Sequence, residues 1–139
     1  RASGARCGVG AYDWLRTVLG FHHAYPEIPI VAKGNAGIPK YIDGEIHYDG
    51  TPELMAEYAV LARAAGAKVI GGCCGTTPAH LEKMREALDT QEIGARPSLE
   101  AISTALGAFS SESDGTDVEV AHPKRERRGR RKSATPTAA

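Results

Sequence analysis

The sequence predicts an α/β fold built from consecutive strand–helix units. Two short apolar runs, Pro29–Lys33 (PIVAK) and Ala67–Ile70 (AKVI), are bounded by glycine or proline, which is typical of buried strands of a parallel sheet. Segments with helical spacing of apolar residues lie before, between and after these runs. Because the connections are long enough for parallel crossovers, a βα-repeat architecture is expected.

The first helix and the segment after the first apolar run follow from local patterns. Tyr12–Phe21 (YDWLRTVLGF) places its large apolar residues at largely helical spacing. Residues 34–50 (GNAGIPKYIDGEIHYDG) are rich in glycine and turn residues, so a long loop is predicted there.

The other two helices of this region carry clear start signals. Thr51 is a suitable cap, Pro52 suits the first helical position, and Gly66 ends the predicted helix. Thr77-Pro78 repeats the device and starts a helix that continues to Leu88. The second of these helices follows the glycine-rich segment GGCCG directly.

The predicted domain is one part of a larger unit. Residues 1–89 supply about three βα units, whereas an eight-stranded α/β barrel needs about 250 residues. The sequence begins without Met, so we expect it to start inside a longer reading frame. We therefore predict the C-terminal portion of a (β/α)8 TIM barrel in residues 1–89, a linker with one helix in residues 90–122, and a disordered basic tail in residues 123–139.

Composition excludes some classes of protein. No run of about 18 apolar residues exists, which excludes a predicted membrane span. Three cysteines, two of them adjacent, do not fit a secreted disulfide framework, so a cytoplasmic location is expected.

The basic tail is the feature that suggests another class of function. Pro123–Lys132 (PKRERRGRRK) has seven basic residues against the single Glu126, although the whole chain has a formal net charge of zero. Such runs bind nucleic acid through counterion release. Neither interleaved aromatic residues nor a base-reading fold accompanies the run, so nucleic acid is not the expected partner. A basic-tailed, nucleic-acid-associated module stays open as an alternative.

The three cysteines form the constellation that carries chemistry. Cys73 and Cys74 follow a predicted strand directly, and Cys7 lies just ahead of the first helix. One strand separates the two positions, and alternate barrel strands point side chains into the same interior layer, so the sulfurs are expected to converge. Three thiolates without a fourth protein ligand indicate an open, catalytic zinc site, in which a substrate thiol becomes a nucleophilic thiolate.

Other interpretations of these residues stay open. The cysteines are also compatible with small buried apolar residues, and GGCCG with a phosphate-binding loop, although the P-loop lysine is absent. His80 lies close to the predicted site, where a packing or surface role is favoured over metal ligation. Asn35 follows the end of a strand and is a candidate residue lining the site.

The motif Gly71–Pro78 (GGCCGTTP), followed by His80-Leu81, resembles the signature of homocysteine S-methyltransferases. This group includes betaine–homocysteine methyltransferases and the homocysteine module of methionine synthase. GARCGVG (residues 4–10) resembles the upstream motif of the family, with Arg6 where the family usually has Asn. Residues 34–39 and 48–59 resemble the stretches between the two motifs, and the similarity covers roughly residues 4–88.

The resemblance implies a (β/α)8 barrel in which Cys7, Cys73 and Cys74 bind zinc. The implied reaction transfers a methyl group from an activated donor to the thiol of homocysteine and gives methionine. A betaine-like donor is expected, because residues 34–55 are most similar to bacterial members that use betaine. The expected partners are homocysteine, a small methyl donor and, as an open alternative, a second copy of the chain. The other alternative is an inactive barrel fragment, since the implied N-terminal half is missing here.

Overall fold

The protein is represented by a computed structural model that describes residues 3–109, with the backbone alone described for residues 3–9. The predicted disordered tail of residues 123–139 lies outside the described residues. The elements are five strands and four helices in the order β1 (Ser3–Gly10), α1 (Ala11–Ala24), β2 (Ile30–Asn35), β3 (Lys40–Ile42), β4 (Glu45–His47), α2 (Pro52–Ala64), β5 (Ala67–Gly72), α3 (Pro78–Thr90) and α4 (Leu99–Leu106).

Three of the strands form a parallel sheet in the order β1-β2-β5. The helices α1 and α2 make the crossovers between them, as the βα-repeat pattern predicted. The described part is therefore a mixed α/β unit with sequential parallel strands, which fits a partial domain.

The helical layer covers one face of the sheet. Ile30 and Ala32 of β2 are buried on that face, whereas Lys33, which points to the opposite face, is exposed. Val69 of β5 pairs in register with Val31 and is 55% exposed on the same open face. None of the described elements covers this second face.

The core lies between the sheet and the helices. Large side chains in it are fully or almost fully buried, among them Leu15, Val18, Met55, Tyr58 and Ile102. The helix predicted in the linker of residues 90–122 is present as α4, whose Ser98 side chain caps it by accepting from the Ala101 backbone N–H at 3.1 Å. Helix α4 packs against α1 and α2, and its apolar residues Ile102 and Leu106 are buried there.

The helix-start predictions are confirmed. Thr51 accepts a hydrogen bond from the Leu54 backbone N–H at 3.2 Å, and Pro52 occupies the first helical position of α2. Gly66 follows the end of that helix with φ of +108°, a value that favours glycine. Thr77 is the N-cap residue of α3, and Pro78 is its first residue.

The prediction of one continuous loop over residues 34–50 is wrong in its middle. Lys40–Ile42 and Glu45–His47 pair as an antiparallel hairpin. The two residues between them, Asp43 and Gly44, both have positive φ (51° and 88°). An Asp-Gly pair adopts this conformation readily, and its twist matches that of the flanking strands, so the short strands can pair.

No described helix has the length and apolar character needed to cross a membrane.

Candidate metal and substrate-thiol site

The Gly71–Pro78 motif lies at the carboxyl end of β5, next to the carboxyl end of β2. Cys73 and Cys74 follow the last residue of β5, and their sulfur atoms are 3.9 Å apart. That separation is too long for a disulfide bond between the two, whose sulfurs would be about 2.05 Å apart. Both residues are partly accessible, so the pair lies at a surface that a ligand can reach.

The sulfur separation matches what a shared metal ion requires. Two thiolates bound to one tetrahedral zinc ion at about 2.3 Å each lie about 3.8 Å apart. Adjacent residues of a regular strand point to opposite faces, so this convergence needs the strand to end before Cys73. The structure places the end of β5 at Gly72, which meets that need.

The end of β2 holds the backbone of both cysteines by three hydrogen bonds. The Cys73 N–H donates to the Gly34 carbonyl at 2.9 Å, and the Ala36 N–H donates to the Cys74 carbonyl at 3.0 Å. The Cys74 N–H donates to Oδ1 of Asn35 at 3.2 Å. The two cysteines are therefore fixed by residues that belong to the neighbouring strand and not by their own loop alone.

Asn35, which the sequence suggests as a site-lining residue, lies beside the cysteine pair and is 2% exposed. Its carbonyl oxygen is occupied by the Cys74 backbone, so it supports the cysteine loop. Whether it also lines a substrate pocket stays a prediction.

Sequence reasoning missed Tyr58, which lies in the apolar face of α2. Its hydroxyl accepts a hydrogen bond from the Gly34 N–H at 3.1 Å, and the residue is fully buried. Burial raises the pKa of the Tyr58 hydroxyl, so this group stays protonated. A helical pattern shows Tyr58 only as a core position, and nothing in the sequence indicates its hydrogen-bond partner.

Two glycines of the motif leave room for large neighbours. A Cβ on Gly75, which has φ of +76°, would lie 2.3 Å from Cγ of Tyr48. A Cβ on Gly72 would overlap the Thr76 side chain. The loop therefore closes tightly around the cysteines only because these two positions have no side chain.

Cys7 lies within β1, in the part of that strand where the pairing with β2 is irregular. Arg6 pairs with Lys33 and Gly10 with Asn35, so β1 has more residues than β2 between these two pairs. The order β1-β2-β5 puts Cys7 two strands from Cys73, as predicted, but the side chain of Cys7 is outside the described part. Among the residues whose side chains are described, no group of three metal-ligating side chains occurs.

His80 has a role within the fold. Its Nδ1 lies 3.1 Å from the Thr77 backbone N–H, its Nε2 lies 2.8 Å from the Gly50 carbonyl, and the residue is 8% exposed. Both ring nitrogens are engaged by protein atoms. The packing role favoured from the sequence therefore describes this residue.

The model of the family described as homocysteine S-methyltransferase matches residues 2–88. The chain belongs to this family. A methionine synthase of Mycobacterium tuberculosis is 31% identical over 109 residues, which cover 74% of the chain. The chain spans 9% of the length of that relative. The match to the S-methyltransferase family covers β1 to α3 almost entirely and includes all three cysteines.

Proposed function

We propose that this chain contributes the zinc and thiol-activating part of a homocysteine S-methyltransferase. The observation that supports this proposal best is the 3.9 Å separation of the Cys73 and Cys74 sulfurs at the carboxyl end of a parallel strand. The separation suits two ligands of one tetrahedral ion. Membership of the S-methyltransferase family supports the same assignment.

Cys7 is the proposed third ligand. It lies in the irregular part of β1, two strands from Cys73, where the inward faces of alternate strands meet in a closed barrel. Three sulfur ligands leave one coordination position for the substrate. Zinc bound there would lower the pKa of the homocysteine thiol, so that the substrate reacts as a thiolate near neutral pH.

The residues of the chain would prepare this reaction by holding the ligands in place. Hydrogen bonds from the end of β2 hold the backbone of the cysteine pair, and the buried hydroxyl of Tyr58 in turn accepts from the Gly34 N–H. A preorganised site avoids the cost of reordering the loop when the substrate binds. The thiolate sulfur would then attack the methyl carbon of the donor, and the donor would leave with the electron pair of the broken bond.

We also propose that the described unit is completed into a (β/α)8 barrel by further strands. The open face of the sheet, with Val69 55% exposed, supports this proposal, as do the outer edges of β1 and β5, with which no strand within residues 3–109 pairs. A closed barrel would cover that face and remove both edges. Groups that hold the amino acid part of homocysteine would then come from the added strands, so the chain alone is expected to be inactive.

Metal analysis of the purified full-length protein tests the zinc site. We expect about one zinc ion per polypeptide, lost in each of the variants Cys7→Ser, Cys73→Ser and Cys74→Ser. The variant Thr104→Ala, exposed on α4, is the control that keeps the metal. Full zinc occupancy in both the Cys73 and Cys74 variants would overturn the proposal.

The methyl donor is proposed to be betaine-like, on the similarity of residues 34–55 to family members that use betaine. Assays of the zinc-loaded full-length protein with homocysteine and betaine, S-methylmethionine or a methyl-folate would identify it. Methionine formed from a methyl-folate alone would replace the betaine assignment and leave the zinc site unaffected.

The protein is proposed to act in the cytoplasm, where free thiols persist.

A further inference from the structure

His80 closes a ring of bonds around the cysteine loop. A backbone N–H can only donate, so the bond from Thr77 N requires Nδ1 of His80 to be the acceptor. The hydroxyl of Thr77, 2.7 Å from the same nitrogen, then donates as well. The ring proton of His80 is therefore on Nε2, which donates to the Gly50 carbonyl at 2.8 Å.

Two further hydrogen bonds link Gly50 to Cys74. Its N–H donates to the Ala36 carbonyl at 2.9 Å, and the Ala36 N–H donates to the Cys74 carbonyl at 3.0 Å. A Cβ on Gly50 would lie 2.3 Å from the carbonyl carbon of Ala36, so only glycine permits this approach. The covalent chain from Cys74 to His80 is thus closed by three hydrogen bonds, through Gly50 and Ala36.

We infer that His80 is a positioning residue that holds the Cys73–Cys74 pair in the geometry that binds a metal ion. The inference rests on the proposed function of the two cysteines as ligands. His80 lies in the first turn of α3 and is 8% exposed. Through Gly50 it links the end of the cysteine loop to Ala36, next to the end of β2, where Gly34 already holds the start of the loop at Cys73. Without the bond from His80, Gly50 would be held less firmly against Ala36, and Ala36 is the residue that donates to the Cys74 carbonyl.

A simpler role for His80 is that it only caps α3. Two isosteric variants separate the two roles. In His80→Gln, the side chain can accept from the Thr77 N–H, as Gln does at this helix position, and can also donate to the Gly50 carbonyl. In His80→Glu, the carboxylate can cap the helix, but it cannot donate to Gly50.

Zinc affinity measured by chelator competition on the full-length protein is the first readout. We expect His80→Glu to bind zinc about 10- to 100-fold more weakly than the wild type, and His80→Gln to recover most of that loss. A negative charge by itself favours cation binding, so a loss in His80→Glu must come from the broken contact. Equal zinc affinity in the Gln and Glu variants would overturn the inference.

A matched control separates an effect on zinc affinity from an effect on the stability of the fold. Met84 lies on the same helix and is buried, but none of the bonds of the ring includes it. Met84→Ala should lower the stability of the fold and leave zinc affinity close to that of the wild type. A loss of zinc affinity in Met84→Ala as large as that in His80→Glu would also contradict the inference.

Amide hydrogen exchange of the metal-free protein is the second readout, and it does not depend on zinc. The N–H groups of Ala36 and Gly50 should exchange faster in His80→Glu than in His80→Gln. Failure of the wild type to bind zinc would reject the proposed function, whereas the exchange rates would still decide the role of His80. If His80→Glu does not fold, Gly50→Ala breaks the same ring from the other side, and it should show the same loss of Ala36 protection.

Discussion

The backbone N–H of Cys74 donates to the side-chain oxygen of Asn35 at 3.2 Å, across the gap between two parallel strands. Asn35 is the last residue of β2, and Cys74 is the second residue after β5. Thus the last side chain of β2 accepts a hydrogen bond from the backbone of the loop that follows β5.

Removing the Asn35 side chain should weaken the cysteine site. In Asn35→Ala, the partly buried Cys74 N–H loses its acceptor, which should cost about 1–3 kcal/mol of unfolding free energy. Zinc affinity should fall in parallel, because the Cys74 backbone then loses one of the hydrogen bonds that hold it against the end of β2. Denaturant unfolding and chelator competition measure the two effects.

The control for this variant is Ser98→Ala, which removes the cap of α4. It should cost about 1 kcal/mol of stability and leave zinc affinity unchanged. An Asn35→Ala protein with the zinc affinity of the wild type would show that the bond to Cys74 does not position a ligand.

Tyr58→Phe should destabilise the fold by about 1–3 kcal/mol, because the Gly34 N–H is then buried without an acceptor. Tyr25→Phe, at a residue 58% exposed, should change stability by no more than about 0.5 kcal/mol. Thermal and denaturant unfolding of the two variants provides the comparison. Equal stability of both would mean that the Tyr58 hydroxyl contributes nothing to the end of β2.

Gly75 and Gly44 form a matched pair of positive-φ positions. Both have positive φ, but a Cβ on Gly44 meets nothing within 4 Å, whereas one on Gly75 would meet the Tyr48 ring. Gly44→Ala should therefore cost only the backbone term of about 1–2 kcal/mol. Gly75→Ala should cost clearly more and should also lower zinc affinity. Comparable losses of unfolding free energy in both variants would contradict the tight packing at Gly75.

The ion pair of Lys40 and Asp49, 2.7 Å apart, should give a small stabilisation that depends on pH. The hydrogen bond from Lys40 holds the pKa of the Asp49 carboxyl below its ordinary value of 3.8, and the same bond raises the pKa of Lys40 above 10.5. A lowered carboxyl pKa stabilises the fold above pH 3.8, and the effect is lost as the pH falls through the lowered value. A raised lysine pKa stabilises it below pH 10.5, and the effect is lost as the pH rises through the raised value.

Lys40→Met should therefore destabilise the protein slightly at pH 7 and low salt, because both side chains are more than half exposed and screened by solvent. The difference from the wild type should shrink in high salt and below the pKa of Asp49. Unfolding free energies measured across this pH range would test the sign. A difference that grows on acidification would reject it.

Much of the local structure was predictable from the sequence. Thr51-Pro52 and Thr77-Pro78 specify helix starts through capping and the fixed φ of proline, and the structure begins α2 and α3 there. The hairpin around Asp43-Gly44 was missed, although this dipeptide is a recognised turn signal, because the strands flanking it are short and exposed.

The sequence by itself determined the family, the βα order and the cysteine candidates, since these depend on residue types and short spacings. Only the tertiary structure decided how the cysteine loop is held. Tyr58 bonds to Gly34 and Gly50 bonds to Ala36, the two residues whose backbones hold the cysteines, and His80 bonds to Gly50. All these contacts join residues that are distant along the chain. Local patterns report periodicity and caps, whereas a hydrogen bond across 24 or 30 positions depends on how the elements pack. For that reason the residues that support the two cysteines could be identified only from the packing of β2, α2 and α3.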